Sequence, residues 1–204
     1  MPESGPSGTE GYADQADALA RQYESIAFAE AHKPILHLLP AGPARVLDIG
    51  AGTGRDAAGF AALGHSVVAV EPTAAMRAHG MRLHPSPAIE WVDDSLPELA
   101  VLSARGGTFD VVMLTAVWMH LDEAQRARAM PQVAALVRPG GLMVLSLRHG
   151  PVPPGRRMFE VSADETEALA RAHGLARVWR SEHGDGTLGR AGVNWDRLVF
   201  RAAG

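Results

Sequence analysis

The sequence contains no cysteine, which removes disulfides, zinc ribbons, thiolate clusters and a cysteine nucleophile. It is short of basic charge: 19 Lys and Arg stand against 23 Asp and Glu, for a formal net charge of -4. Nonspecific gripping of a nucleic acid backbone needs a basic face, so no nucleic acid partner is expected. Long hydrophobic runs are missing as well. The longest, residues 111–119 with Thr115 counted in, is less than half of a membrane span, and no membrane partner is expected. Residues 1–10 are polar and rich in Gly, Pro and Ser, without the basic start and apolar run of a signal peptide. They are expected to form a disordered segment, and the location is expected to be cytoplasmic. The histidines show no metal-ligand spacing, so no metal is expected.

What remains is an ordinary globular composition, 47% hydrophobic and 21% charged over 204 residues. That length suits one domain, expected over residues 11–204. At this size a chain buries roughly 70% of the surface it exposes when unfolded, so no metal or disulfide staple is required.

Residues 12–39 read as an alanine-rich helical region, broken or kinked at Pro34 and ended by Pro40-Ala-Gly-Pro43. An alternation follows. Apolar runs at 45–49, 66–70, 88–92, 109–114 and 142–147 are separated by helical spacers at 56–63, 73–83, 97–103 and 122–137. Asp122 with Gln125 makes a capping-box pattern, and Pro131 should kink that last helix. Strands apolar nearly throughout, alternating with helices, predict a parallel sheet covered on both faces. After a helix at 163–173, the runs 176–179 and 195–201 are joined by a Gly-rich connector at 184–192, which predicts a final hairpin and one antiparallel strand. Trp179, Trp195 and Phe200 are read as sheet packing.

The strongest signal is Val46-Leu-Asp-Ile-Gly-Ala-Gly-Thr-Gly-Arg55, an apolar strand running into glycines at 50, 52 and 54 and then a helix. Alternate glycines let a ligand lie directly on the backbone. Counting from Gly50, the third glycine of a dinucleotide fingerprint would fall at Arg55, so that motif fails, and no Gly-Lys-Ser/Thr follows for a phosphate loop. Asp48, two residues before the first glycine, would repel a pyrophosphate but suits an ammonium or sulfonium. Twenty-one residues past Gly50 stands Glu71, placed at a strand end to accept two ribose hydroxyls. Pro72 offers an apolar surface to a purine. Asp93 and Asp94 are both candidates to accept from an adenine amino group beside the Ser95 amide; Asp94 is favoured, and one of the two should cap the next helix.

Asp48-x-Gly50-x-Gly52-x-Gly54, Glu71, Asp94-Ser95, Phe109-Asp110-Val-Val and Arg138-Pro-Gly-Gly141, in this order and spacing, resemble class I S-adenosylmethionine-dependent methyltransferases over nearly the whole chain. The resemblance implies an α/β, Rossmann-like fold: a seven-stranded, mostly parallel sheet with helices on both faces and the last strand antiparallel. It also implies that residues 11–40 form a lid over the cofactor, S-adenosyl-L-methionine, with the glycine turn at the methionyl part, Glu71 at the ribose and Asp94 at the adenine. Tyr23 sits in the lid region, where a Tyr reaches the methionyl carboxylate in similar enzymes; core packing is its competing role. The candidate cofactor-binding set is therefore Tyr23, Asp48, Gly50, Ala51, Gly52, Gly54, Arg55, Glu71, Pro72, Asp94, Ser95 and Thr115.

Open α/β sheets bind ligands beyond the carboxyl ends of their strands. Thr115-Ala-Val-Trp118-Met119-His120 should then face the transferred methyl group. In base-amine-modifying relatives an Asn or Asp followed by Pro-Pro-Tyr stands there. Its replacement by Thr-Ala-Val-Trp points to a small-molecule acceptor near Trp118, His120 and His149, methylated on O, N or S. His120 is the candidate catalytic base, with a packing role as the alternative, and Arg148 and His149 also end at the ligand edge. An RNA or protein methyltransferase and a non-catalytic cofactor-binding module are the competing functions.

Overall fold

The computed structural model describes residues 6–185 and 192–204. Seven strands form one sheet: β1 (Arg45–Ile49), β2 (Ser66–Val70), β3 (Ile89–Val92), β4 (Phe109–Leu114), β5 (Val137–His149), β6 (Leu175–Asp185) and β7 (Asn194–Ala202). Their order is β3-β2-β1-β4-β5-β7-β6. Only β7 is antiparallel to its neighbours, pairing with both β5 and β6. The strand order reverses between β1 and β4, the place where open α/β sheets bind ligands.

Three boundaries depart from the sequence reading, each for a local reason. The single helical region expected over residues 12–39 is broken into α1 (Ala16–Tyr23), α2 (Phe28–His32) and a 3-10 turn at Leu36–Leu38. Ser25 donates its hydroxyl to the Gln22 carbonyl at 2.7 Å, and Ala27 is extended. Pro34 then disfavours helix at the preceding residue and supplies no N–H. The helices α3 (Arg55–Ala62) and α4 (Ala74–Leu83) fall where expected, but α5 (Ala100–Arg105) starts later than Pro97. The reason is Asp94, whose carboxylate accepts from the Ser95 and Leu102 amides, both at 2.9 Å. β5 begins at Val137 and takes in the Arg138-Pro-Gly-Gly141 turn, because Arg138 pairs with Asp110 across the β4 register shift.

α6 (Glu123–Leu136) runs through Pro131 as one helix, and its capping box is present: Asp122 accepts from the Gln125 amide at 2.8 Å while Gln125 accepts from the Asp122 amide at 3.0 Å. α7 (Ala163–Ala172) is capped by Ser162. Residues 186–191 of the Gly-rich connector, and residues 1–5 of the N-terminal segment, lie outside the described residues.

Strand alternation divides the core. Leu47, Ile49, Val112, Leu114, Leu145 and Phe200 face one way with Met130 and Val133 of α6. Val46, Val111, Met113, Val144 and Val199 face the other, against Phe60 of α3 and Ile35. Leu19 of α1 packs on Met76 of α4, which sets the N-terminal segment above the strand ends. Among the described residues no helix is long and apolar enough to cross a membrane.

Candidate functional site

A cavity of about 500 Å³ opens over the carboxyl ends of the parallel strands. Its floor is the glycine turn. Gly50, Gly52 and Gly54 all adopt left-handed φ, at 71°, 59° and 82°, which glycine alone takes without strain. Their duties differ. A Cβ on Gly50 would collide with Val117 at 2.5 Å, and one on Gly54 with the Trp91 ring at 2.8 Å. A Cβ on Gly52 would instead point into the space beside Tyr23 and Met76, nothing lying nearer than 3.7 Å. Gly50, Ala51 and Gly52 line the cavity; Gly54 does not. It makes a close helix-to-strand contact, with the Trp91 ring where its Cβ would be.

Glu71 ends β2 beneath this turn, buried, accepting from the Gly52 amide at 2.9 Å and the Thr73 amide at 2.8 Å. Burial raises its pKa, and the two amides oppose the rise. Pro72 and Ser95 line the wall beside it. Of the two aspartates, Asp94 faces the cavity and also accepts from the Leu102 amide in the first turn of α5. Asp93 turns outward to Arg77 at 2.7 Å.

Asp48 is buried at 2% exposure, and its Oδ2 has no hydrogen-bond partner. Burial and then the neighbouring Asp56 carboxylate push its pKa well up. Asp56, in the first turn of α3, was not foreseen. Its Oδ2 accepts from His32 and from the Thr115 hydroxyl, each at 2.8 Å, and its Oδ1 from Arg55 at 2.8 Å. Burial works against its ionisation, yet His32, Arg55 and Thr115 together hold it well below the usual carboxylate range.

The other end of the cavity is built on the 3-10 turn Trp118–His120. His120 is buried, with Nδ1 2.8 Å from the Arg157 carbonyl and Nε2 3.0 Å from the Tyr12 hydroxyl. A carbonyl only accepts, so Nδ1 carries the proton, and in the neutral ring Nε2 accepts from Tyr12. Burial lowers the His120 pKa against the pull of that carbonyl, and Arg156 and Arg148 lower it further. Tyr12 is pushed up, by burial first and then by Tyr23. It carries the Arg156 guanidinium 4.0 Å above its ring. Ala116, between the two ends, holds a left-handed φ of 60° and donates its amide to Ser146 at 2.8 Å. Strain of this kind collects at sites that bind ligands.

Two of the expected acceptor-side residues stand away from the cavity lining. Trp118 is 1% exposed and belongs to the core between sheet and helices, because its turn directs it away from the cavity. His149 does not line the cavity and is held by Asp196 at 3.0 Å. Its neighbour Arg148 does line it, donating to the Pro151 carbonyl at 2.8 Å. Trp195, read as packing alone, also reaches the wall. Tyr23 lines the cavity and packs on the Leu19–Met76 group. Ser7, Gly8 and Thr9, part of the segment expected to be disordered, are placed in the roof. Tyr12, Asp56, Ser146, Arg156 and Arg197 are cavity residues that the motifs did not single out. Strand periodicity points to Ser146 and Arg197; nothing in the sequence points to Tyr12. Among the described residues no group of three or more His, Cys, Asp or Glu side chains is placed to hold a metal ion.

Residues 46–141, the span from β1 into the β5 turn, match the family model described as a methyltransferase domain. That segment is similar to methyltransferase domains, and the fold is shared with solved S-adenosylmethionine-dependent methyltransferases. Human glycine N-methyltransferase is 26% identical over 193 residues, covering 78% of this chain and 64% of that protein. The chain therefore spans less than two thirds of that relative's length. Among solved structures, Burkholderia thailandensis 1,6-didemethyltoxoflavin-N1-methyltransferase, which holds its acceptor and S-adenosylhomocysteine, superposes with a TM-score of 0.70 at 23% identity, over 100% of this chain and 93% of that one. A TehB-like methyltransferase from Corynebacterium glutamicum gives 0.69 at 20% identity, over 92% and 97%.

Proposed function

We propose that the chain transfers the methyl group of S-adenosylmethionine to an O, N or S atom of a small-molecule acceptor by in-line displacement. The observation that carries this reading is the roof. Residues 7–26 on one side and Pro153, Arg156 and Met158 on the other close over about 500 Å³. That is the volume of a small-molecule site. A nucleic acid base or a side chain of a folded protein would have to displace the roof to reach the strand ends.

The residues present suit the cofactor. Asp48 offers a buried oxygen without a partner to an ammonium group, and the Gly52 backbone is open to close approach. Each Glu71 oxygen holds one amide and retains a lone pair for a ribose hydroxyl. Asp94 and Ser95 stand at the adenine end with Pro72, while Tyr23, Arg55 and Thr115 surround the methionyl part. When bound, the cofactor supplies a methyl group already activated by sulfonium. The protein's share is alignment and the exclusion of water. For an acceptor that must lose a proton, Tyr12 takes it while passing its own to Nε2 of His120, and the Arg157 carbonyl steadies the imidazolium through Nδ1–H. The relatives support the acceptor class: one is named for N-methylation of glycine and another for that of a toxoflavin precursor.

Calorimetric titration with S-adenosylhomocysteine, with NADH as control, tests the cofactor half. Binding of the first and not the second is expected, and no binding of S-adenosylhomocysteine at millimolar concentration overturns it. Turnover on a panel of small acceptors tests the rest. Methylation of tRNA or peptides in place of small molecules would overturn the acceptor class.

A further inference from the structure

We propose that Arg197 is a carboxylate-binding residue of the cavity. The sheet sets it there by register. Asp48 pairs with Met113, Met113 with Val144, and Ser146 with Arg197. Two residues beyond Met113 and Val144 come Thr115 and Ser146. Thr115, Ser146 and Arg197 therefore form a polar row across the end of β4, β5 and β7, one step beyond the row of Asp48, Met113, Val144 and Val199 on the same face. All four polar residues line the cavity.

Among the described residues the Arg197 side chain makes no hydrogen bond and no ion pair. The other arginines of the wall are engaged: Arg55 with Asp56, Arg148 with the carbonyls of Gly150 and Pro151, Arg156 with the Glu10 carbonyl and Gln15. The nearest opposite charge, Asp56, has both oxygens occupied by Arg55, His32 and Thr115. Asp48 is pushed toward its neutral form. Arg55 is taken up by the Asp56 carboxylate, while the Arg197 guanidinium lines the cavity without an acceptor among the described residues. Burial lowers the Arg197 pKa, Asp56 pulls it back and Arg55 adds to the fall, so the cation is held partly out of water.

A planar fork of donors with no acceptor among the described residues matches a carboxylate in two-point contact. A phosphate dianion would bring two negative charges beside Asp48 and Asp56. The carboxylate has two possible sources, the amino-acid end of the cofactor or an acceptor bound beside it; the second rests on the small-molecule reading above.

The test is calorimetry on wild type, R197Q and R197K with S-adenosylhomocysteine and with 5′-methylthioadenosine, which keeps the nucleoside and sulfur and lacks the carboxylate and ammonium. If the cofactor is the source, R197Q weakens S-adenosylhomocysteine by about tenfold or more and R197K by less, while 5′-methylthioadenosine binds all three equally. If the acceptor is the source, S-adenosylhomocysteine binds all three alike. The S-adenosylhomocysteine-saturated R197Q protein then loses about tenfold for glycine or 4-hydroxybenzoate, with glycinamide and 4-hydroxybenzamide unaffected. Should R197Q fail to fold, R197K carries the same comparison. Equal S-adenosylhomocysteine affinity with no carboxylate-specific loss overturns the assignment, whether the variants bind the probes as well as wild type or neither probe binds wild type. A wild type that binds no S-adenosylhomocysteine defeats the cofactor reading; variants that match a binding wild type defeat only the role of Arg197.

Discussion

Replacing Asp48 with Asn should move stability and cofactor affinity in opposite directions. The carboxyl is buried at 2% exposure, Oδ2 has no partner, and burial together with Asp56 favours its protonated form. An acid whose pKa is raised on folding is easiest to bury below its unfolded pKa, about 3.9. Its contribution is lost as pH climbs from there toward the folded pKa. At pH 7 Asp48 therefore costs stability, and Asn, of the same shape and without charge, removes that cost. Each kcal/mol regained shifts the melting temperature by about 2–4 °C at this chain length. The gain should be present at pH 7 and shrink toward pH 4. Binding behaves oppositely, because an ammonium against an ionised Asp48 makes a charge-assisted hydrogen bond worth about 1.5–3 kcal/mol. D48N should then bind S-adenosylhomocysteine about 10- to 150-fold more weakly. In wild type the affinity should rise by up to about tenfold per pH unit while pH remains below the raised pKa, a slope missing in the variant. Thermal melts and calorimetry at pH 4 to 8 read all of this. A lower melting temperature with unchanged affinity would refute the reasoning and make Asp48 a structural acid.

Glu71→Ala should cost about 2–3 kcal/mol of S-adenosylhomocysteine affinity, since it removes the ribose acceptor and frees the Gly52 and Thr73 amides; calorimetry showing full affinity would sink the ribose assignment. Gly52→Val should fold with a strain penalty of about 1–2 kcal/mol from its left-handed φ of 59° while filling the cavity beside Tyr23, so circular dichroism is retained and cofactor binding is lost. His120→Ala should lower turnover by about 10²–10⁴-fold with little change in cofactor affinity, and equal turnover would remove it from the mechanism. Burial lowers the His120 pKa, so the acid limb of the rate profile, where a base gains activity as pH rises, should lie below the ordinary histidine value of about 6.5. Tyr12→Phe, which leaves the imidazole in place, should shift that limb; an unmoved profile would uncouple the two residues.

Much of this was legible in one sequence because periodicity and glycine chemistry are local. Apolar runs between helical spacers fix a parallel sheet, and the tail hairpin yields the antiparallel β7. Alternate glycines after Asp48 mark the turn. Glu71 and Asp94 follow at the ends of the next two strands, where a doubly wound sheet must put its ligand. The failures are equally physical. Trp118 and His120 lie two residues apart, and only the turn geometry decides which enters the cavity. Gly54 was read with its two neighbours, although its Cβ direction meets Trp91, a residue of β3 distant in sequence. Tyr12 carries no motif; it becomes a site residue because α1 docks on α4 and lowers the segment before it onto His120. Long-range placement of this kind leaves no periodic trace.

Floor and roof are held by different forces, and the difference bears on function. The floor hangs on the ladders of β1, β2, β4 and β5 and on two apolar clusters, so opening it means losing the core. The roof rests on the small Leu19–Met76 group and a few side-chain ties: Tyr12 to His120 at 3.0 Å, Arg156 to the Glu10 carbonyl at 3.1 Å, and Glu24 to Thr53 and His84 at 2.6 and 3.0 Å. The neutral Tyr12–His120 tie contributes about 0.5–1.5 kcal/mol and the ties to Arg156 and Glu24 at most about 1.5–3 kcal/mol each, which places roof opening below global unfolding. Methyl transfer needs such an asymmetry. Both ligands must enter, and water must then be excluded from the sulfonium. Because the Tyr12 hydroxyl is both a roof tie and the partner of His120, the proposed mechanism makes closing the roof and completing the proton path one event.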